Sequence, residues 1–172
     1  PMPSRFFWQI QRQLMPDLAQ DSVFNKDSLT WLIVESLQDD ALMAQPEFQL
    51  LQAYLLPHES DTQAEQALKC YRLASTIADL YDQYLVYRPD WIENWQAQAF
   101  EIDGEPLTDQ KWQGILWQYL IDKVKDKGLP ERHRANMVSD FMGVLNQASG
   151  KQLPKRVIFF GFTTLPKHQI DA

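Results

Sequence analysis

The stretch TQAEQALKCYRLASTIADLYDQYLVY, residues 62–87, decides the fold, because it carries the longest helical pattern in the chain. Apolar residues recur along it at intervals of three and four positions, which places them on one face of an α-helix. This apolar stripe comprises Ala64, Ala67, Leu68, Tyr71, Ala74, Ile77, Ala78, Tyr81, Tyr84 and Leu85. The stretch therefore predicts a long amphipathic helix with one face against a core.

Capping residues and helix-ending residues predict six further helices, three on each side of the long one. Before the long helix, the first is capped by Ser4 and ends at Pro16, the second is capped by Asp27 or Ser28, and the third starts at Pro46 and ends at Pro57. After it, the fifth is capped by Asp90, the sixth is capped by Thr108 and ends at Gly128, and the seventh covers 131–148. A turn at 103–108 separates the fifth helix of the chain from the sixth. The sequence thus predicts a mainly α protein.

The character of the sequence changes at residues 156–160, which read RVIFF. An unbroken apolar run of this kind is typical of a strand covered on both faces of a parallel sheet. No second such run occurs in the chain, so we predict an orphan β-strand that belongs to an α/β core lying elsewhere. On this interpretation residues 1–150 form a helical lobe and residues 151–172 a returning strand and loop. The chain would then be a piece of something larger.

Composition limits the class of protein. The 172 residues carry a formal net charge of −7, which argues against a DNA clamp that binds any sequence through lysine and arginine. The single cysteine, Cys70, cannot form a disulfide within the chain and fits a reducing compartment. No apolar run is long enough to cross a membrane, and the first ten residues do not read as a signal peptide. We therefore expect a cytoplasmic protein without a membrane partner.

The motifs of two common phosphate and metal sites are incomplete in this sequence. Gly143 and Gly150 are separated by six residues, which is too many for a phosphate loop. Asp90 and Asp109 match the letters of a metal nuclease, Pro-Asp followed by Asp-x-Lys. Both acids, however, come at predicted helix starts, where aspartate commonly serves as a cap. We interpret them as caps.

The three histidines, His58, His133 and His168, are too far apart in the sequence to suggest a zinc site. His133 lies at a predicted helix start and is interpreted as a surface or interface group. The chain is therefore predicted to hold no metal, no cofactor and no catalytic residue of its own.

A polar stripe lies opposite the apolar one on the long predicted helix. It comprises Arg72, Ser75, Thr76, Asp79, Asp82 and Gln83. Asp79 and Asp82 are like charges on neighbouring turns, which costs an isolated helix roughly 0.2–0.5 kcal/mol. Such a pair is expected to have cations nearby, and Arg88 and Arg134 are candidate partners.

Three interpretations of this region are open. In the first, the helix end is a salt-bridged structural junction, and Tyr84, Tyr87 and Trp91 are core rings whose polar tips find partners. In the second, the surface recognises a planar polar ligand, because carboxylates accept hydrogen bonds from nucleic acid bases and aromatic rings stack on them. In the third, it is a protein interface.

Four segments of the chain resemble the RecC family, the gamma subunits of exodeoxyribonuclease V. They are SVFNKDSLTW at 22–31, IADLYDQYLVYRPDW at 77–91, HRAN at 133–136 and LPKRVIFFGFTTLP at 153–166. They occur in the family's order and spacing, and the resemblance covers essentially the whole chain. The run DQYLVYRPDW, at 82–91, is its most specific part.

The resemblance implies an architecture and a set of partners. Members of this family look like superfamily-1 helicases that have lost their ATP site, and the helical lobe would be the domain called 1B, inserted into an α/β core. With RecB and RecD they process double-stranded DNA ends for recombinational repair. The chain would belong to an enzyme as a subunit of this ATP-dependent helicase and exonuclease. The partner subunits would use ATP and magnesium.

The resemblance also implies a DNA site, in a tunnel that inspects the 3′ single strand for the regulatory octamer Chi. The positions that match this site are Met2, Trp8, Asp79, Leu80, Asp82, Gln83, Arg88 and Arg134. The acids would accept hydrogen bonds from base edges, the arginines would contact phosphate or guanine, and Trp8 would stack. Met2 departs from the expected leucine but keeps an apolar group of similar volume. The alternative is a scaffold that only docks the partner subunits.

Overall fold

The computed structural model describes residues 3–15, 22–131, 133–147, 153–154, 156–158 and 160–161. These ranges contain eight α-helices, one 3-10 helix and one two-stranded hairpin. In chain order the elements are α1 (Pro3–Leu14), α2 (Lys26–Ser36), α3 (Asp40–Met43), the 3-10 helix (Pro46–Phe48), α4 (Gln49–Leu55), α5 (Gln63–Tyr87), α6 (Pro89–Gln96), β1 (Glu101–Ile102), β2 (Glu105–Pro106), α7 (Lys111–Asp126) and α8 (Arg134–Gln147). The predicted mainly α class is confirmed. No helix in the described ranges has both the length and the apolar character needed to span a bilayer.

Helix α5 is the longest element, and local sequence signals fix where it begins. The Thr62 hydroxyl accepts a hydrogen bond from the backbone N–H of Glu65 at 3.2 Å. The Glu65 carboxylate accepts in return from the backbone N–H of Thr62 at 2.8 Å, so the two residues form a capping box. The buried side chains of α5 follow the predicted stripe and are Ala74, Ile77, Ala78, Tyr81 and Leu85.

Helix α2 packs along α5 in the opposite direction. Lys26, the first residue of α2, contacts Asp79, whereas Trp31, further along α2, contacts Tyr71, which lies earlier in α5. The faces of α2 and α5 that meet are buried. The solvent-facing surface along this contact is therefore formed by side chains of both helices.

The core continues where α5 meets α6 and α7. Tyr81, Trp95 and Trp117 are the largest fully buried side chains of this region. The rings of Tyr81 and Trp117 lie edge to face, 5.1 Å apart. The buried Tyr81 hydroxyl donates to the backbone oxygen of Gln113 at 2.7 Å. Gly114 lets α7 come close to α6 and to the segment after it, because a Cβ atom there would lie 3.3 Å from a carbon of Trp95 in α6 and only 2.5 Å from a carbon of the Phe100 ring.

The hairpin between α6 and α7 is short, and its turn follows from two residues. Asp103 and Gly104 have positive φ angles of 54° and 83°, the conformation that a type I′ turn requires and that Asp-Gly favours. Ile102 pairs with Glu105 across this turn. A turn was predicted at 103–108, but β2 lies within that range, because strands of two residues are too short to leave a periodic pattern.

Two predicted starts before α5 were wrong by two or three residues. Helix α1 begins at Pro3, one residue ahead of the predicted cap Ser4. Helix α2 is capped by Asn25, whose side chain accepts from the backbone N–H of Ser28 at 2.9 Å. Asn25 has the extended backbone of a cap, so Asp27 and Ser28 lie inside the first turn.

Two predicted starts after α5 also need correction. Helix α6 begins at Pro89, because proline is preorganised for the first helical position, and Asp90 therefore lies inside the first turn. The residue before this helix is Arg88, which makes no side-chain cap. Helix α7 follows Gln110 rather than the predicted cap Thr108.

The run at 156–160 does not form a strand in its described residues. Residues 156–158 and 160 have no regular secondary structure and are exposed, and Phe160 reaches 91%. A strand needs a neighbour that takes up its backbone hydrogen bonds. In the described part of the chain the two strands β1 and β2 pair with each other. The division into a lobe at 1–150 and a returning segment at 151–172 stays a prediction.

Candidate functional site

Four of the predicted site residues lie on α5. With about 100° of rotation per residue, Asp79, Asp82 and Gln83 fall within about 100° of one another. They lie roughly opposite the fully buried Tyr81, so the face that they share points away from the core. Leu80 borders this face and is half-buried. The structure therefore brings these four predicted residues together on one side of one helix.

The cation beside Asp79 is Lys26, which the sequence analysis missed. The Nζ atom of Lys26 lies 2.6 Å from Oδ1 of Asp79, and about half of each side chain is exposed. The Asp79 carboxylate raises the pKa of Lys26, with smaller contributions from Asp27 and Asp82. The positive charge next to Asp79 thus comes from α2, because the packing of α2 on α5 brings the two residues together. Arg88, one of the two candidate partners for Asp79 and Asp82, instead pairs with Asp90 and Asp103.

Arg88 forms a second cluster at the junction of α5 and α6. Its Nε lies 3.1 Å from Asp90 Oδ1, and its Nη2 lies 2.8 Å from Asp90 Oδ2. Nη2 also pairs with Oδ1 of Asp103 in the hairpin turn, and Nη1 lies 3.5 Å from Asp103 Oδ2. The hydrogen bond to Asp90, and then that to Asp103, raise the pKa of Arg88. Arg88 in turn lowers the pKa of Asp103.

The guanidinium of Arg88 lies over an aromatic ring. Its central carbon is 3.8 Å from the centre of the Trp91 ring, a cation–π contact. Trp91 packs against Tyr84 at 5.2 Å, and the Tyr84 hydroxyl donates to Oε1 of Gln113 at 3.1 Å. Tyr84 and Trp91 are therefore packed rings with structural contacts. Tyr87 is exposed, so it is not the core ring that the first interpretation expected.

His133 belongs to the core, and its interpretation as a surface or interface group was wrong. The residue is fully buried, and its ring lies edge-on to Phe24 at 5.6 Å and to Trp117 at 5.3 Å. Its Nε2 lies 3.0 Å from Oε1 of Gln96, and the backbone N–H of Asn136 approaches Nδ1 at 3.5 Å. Burial lowers the pKa of His133 to about 4. This histidine is therefore a neutral group that ties the start of α8 to α6.

Three predicted site residues lie partly or wholly outside the described residues. Met2 is outside them altogether. The backbone of Trp8 belongs to α1 and that of Arg134 begins α8, but the side chains of both are outside what is described. Helix α8 packs against α1, α5 and α6. The helices that carry the predicted residues are thus neighbours in the fold.

The described side chains of this region offer groups that can bind a polar ligand. They offer carboxylate and amide acceptors on α5, one ammonium group from α2 and one stacked guanidinium. Over the described ranges, no three His, Cys, Asp or Glu side chains come together as a group that could hold a metal ion. The arrangement can accept hydrogen bonds from amino groups and can pair with anionic or polar acceptors.

Comparison with known proteins assigns the family. The family model described as "RecC, N-terminal domain" matches residues 1–172. The RecBCD enzyme subunit RecC of Escherichia coli is 35% identical over 175 residues, covering 100% of this chain and 15% of that protein. The RecBCD enzyme subunit RecC of Haemophilus influenzae is 35% identical over 187 residues, covering 96% of this chain and 16% of that protein. The chain thus spans less than a fifth of the length of these relatives. On these matches the chain belongs to the RecC family, and its sequence matches that family's N-terminal domain.

Proposed function

We propose that this chain is a non-catalytic, helicase-like module of a RecC subunit, and that it helps to recognise Chi in single-stranded DNA during double-strand break repair by homologous recombination. Its relatives are named as subunits of a RecBCD enzyme. By analogy, the chain would act in the cytoplasm with RecB and RecD subunits. Those partners would supply the ATP-dependent helicase and exonuclease chemistry, with magnesium, and the DNA would enter from a duplex end.

The observation that carries this proposal is the outward position of Asp79 and Asp82 on α5. The ion pair of Asp79 with Lys26 is half-exposed, so water and salt screen it and it contributes little to stability. Stability therefore gives little reason for an acid at position 79 on this face. Carboxylates in such positions can accept hydrogen bonds from the amino groups of bases, which discriminates between sequences. Because the chain carries a net charge of −7, attraction to phosphates would come from the rest of the complex.

The test is to substitute these acids in the complete three-subunit enzyme, in the full-length subunit that contains this chain. Asp79→Asn and Asp82→Asn should leave unwinding intact and lower the response to Chi. One base-edge contact discriminates by about 1–3 kcal/mol, so the response should fall by about fivefold to 160-fold. Asp126→Asn, which removes the same charge from the exposed end of α7, is the matched control. An undiminished Chi response in both α5 variants would rule the proposal out.

A second candidate function is a scaffold that docks the partner subunits. The observation that favours it is an aromatic pair on the outer surface of α2 and α5, where the rings of Trp31 and Tyr71 lie 5.6 Å apart and both are exposed. Exposed aromatic residues are enriched at protein interfaces. On this alternative, Trp31→Ala would weaken assembly of the complex. The α5 acid variants would then lose unwinding together with the Chi response.

A further inference from the structure

Both hydrogen-bonding edges of the Arg88 guanidinium are occupied by carboxylates of this chain. Asp90 accepts from Nε and Nη2 along one edge. Asp103 accepts from Nη2 and, more weakly, from Nη1 along the other. A guanidinium binds a paired acceptor by presenting two N–H groups of the same edge. Neither edge is therefore open for such an acceptor while both carboxylates stay in place.

The two carboxylates are attached to the protein in different ways. Asp90 lies two residues after Arg88 and inside the first turn of α6, so the start of that helix fixes its position. Asp103 lies at the turn of a hairpin whose strands have two residues each, and its side chain is 67% exposed. Rotation of one side chain, or a small bend of the turn, frees the Asp103 edge. Asp103 is thus the contact that a competing acceptor can displace.

We propose that Asp103 is a specificity-determining residue, because its carboxylate covers the Nη1–Nη2 edge of Arg88 and a paired acceptor of single-stranded DNA gains that edge only by displacing it. Asp90 and Trp91 remain in place and keep the guanidinium in its plane. Two phosphate oxygens, or O6 and N7 of guanine, present two acceptors with the spacing of a carboxylate. A group with a single acceptor replaces only one of the two bonds and competes poorly. The inference rests on the proposed function, since it takes Arg88 as a DNA contact.

The test compares four forms of the complete enzyme: wild type, Asp103→Asn, Arg88→Gln and the double variant. Asn-Gly favours the same type I′ turn as Asp-Gly, so Asp103→Asn removes the charge and keeps the hairpin. The probes are a fluorescent single strand of thymines and the same strand with one guanine at each position in turn. Glu105→Gln, an exposed acid of the same hairpin, is the matched control and should bind like wild type.

Asp103→Asn is expected to tighten DNA binding by up to about fivefold. The gain is limited because the ion pair that DNA must displace is exposed, and exposed ion pairs are weak. The gain should vanish in the Arg88→Gln background. An equal gain for every strand, with a steeper salt dependence, would assign the acceptor as phosphate. A gain confined to strands that contain guanine would assign it as the base.

Two results would overturn the inference. In the first, the Asp103→Asn enzyme binds the strands no more tightly than wild type, while Arg88→Gln weakens binding. That result would leave the proposed function standing. The other is a gain that persists in the double variant, because it would then reflect only the loss of a negative charge. If Arg88→Gln changes neither binding nor the Chi response, the DNA role of Arg88 in the proposed function fails as well.

Discussion

Acidification should destabilise this chain through His133, because the folded protein keeps that ring neutral. The ring has an ordinary pKa of 6.5, and burial lowers it to about 4 in the fold. Since the folded pKa lies below the unfolded one, the unfolded chain takes up the proton first as the pH falls. Stability is therefore lost as the pH falls through 6.5, and the loss is complete below about pH 4. A protonated ring could not accept the N–H of Asn136 at Nδ1, which acts in the same direction.

The size of the effect follows from the two pKa values. The difference, 6.5 − 4, is 2.5 units, and each unit corresponds to about 1.36 kcal/mol, which gives about 3 kcal/mol at full protonation. At pH 5 the folded ring is still mostly neutral while the unfolded ring is mostly charged. The free energy of unfolding should then be about 2 kcal/mol lower than at pH 7 through this residue alone.

Urea unfolding of the 172-residue chain at pH 7 and pH 5, followed by tryptophan fluorescence, measures this loss. His133→Phe keeps a ring against Phe24 and Trp117 but cannot titrate, and His58→Phe alters an exposed histidine as the matched control. Between the two pH values, wild type and His58→Phe should lose about 2 kcal/mol more than His133→Phe. All three proteins have the same carboxylates, so the pH-dependent stability that these groups contribute cancels in the comparison. Equal losses in wild type and His133→Phe would refute the reasoning.

Three substitutions probe the packing and the capping of the helices, and urea unfolding at pH 7 measures each. Gly114→Ala should lower the free energy of unfolding by about 1–3 kcal/mol, because its new methyl group meets the Phe100 ring; a neutral result would mean that this ring moves freely. Gly143→Ala, on α8 with nothing within 4 Å of the new Cβ, should raise it by about 0.5–1 kcal/mol, and a loss there would contradict the open environment. Thr62→Ala should lower it by about 1 kcal/mol while Thr62→Ser does not, since serine keeps the cap of α5 and alanine removes it.

Features that depend on neighbouring residues could be predicted from the sequence. The start of α5 is set by Thr62 and Glu65, which are three positions apart, and its buried face follows from helical spacing alone. The same spacing predicted that Asp79, Asp82 and Gln83 share one face. Short elements escaped this reasoning: α3 has four residues, too few for a period, although Asp39 caps it.

Features that depend on packing between distant segments could not be predicted. Lys26 meets Asp79, and Asp103 meets Arg88, only because α2 lies along α5 and the hairpin turns back toward the helix junction. His133 has polar neighbours in the sequence and therefore resembled a surface residue. Its burial comes from Phe24, which lies just before α2, and from side chains of α6 and α7.

Helices α5 and α6 share Arg88 as their boundary, with no loop between them. Its backbone N–H still donates to the carbonyl of Tyr84 in α5, while its side chain is fastened to Asp90 and Trp91 of α6. A tilt of α6 relative to α5 must therefore be taken up by the torsion angles of this one residue. The Arg88 guanidinium would move with α6, because its side chain contacts Asp90 and Trp91 of that helix. A small rotation of α6 relative to α5 would therefore change the direction in which this positive charge points.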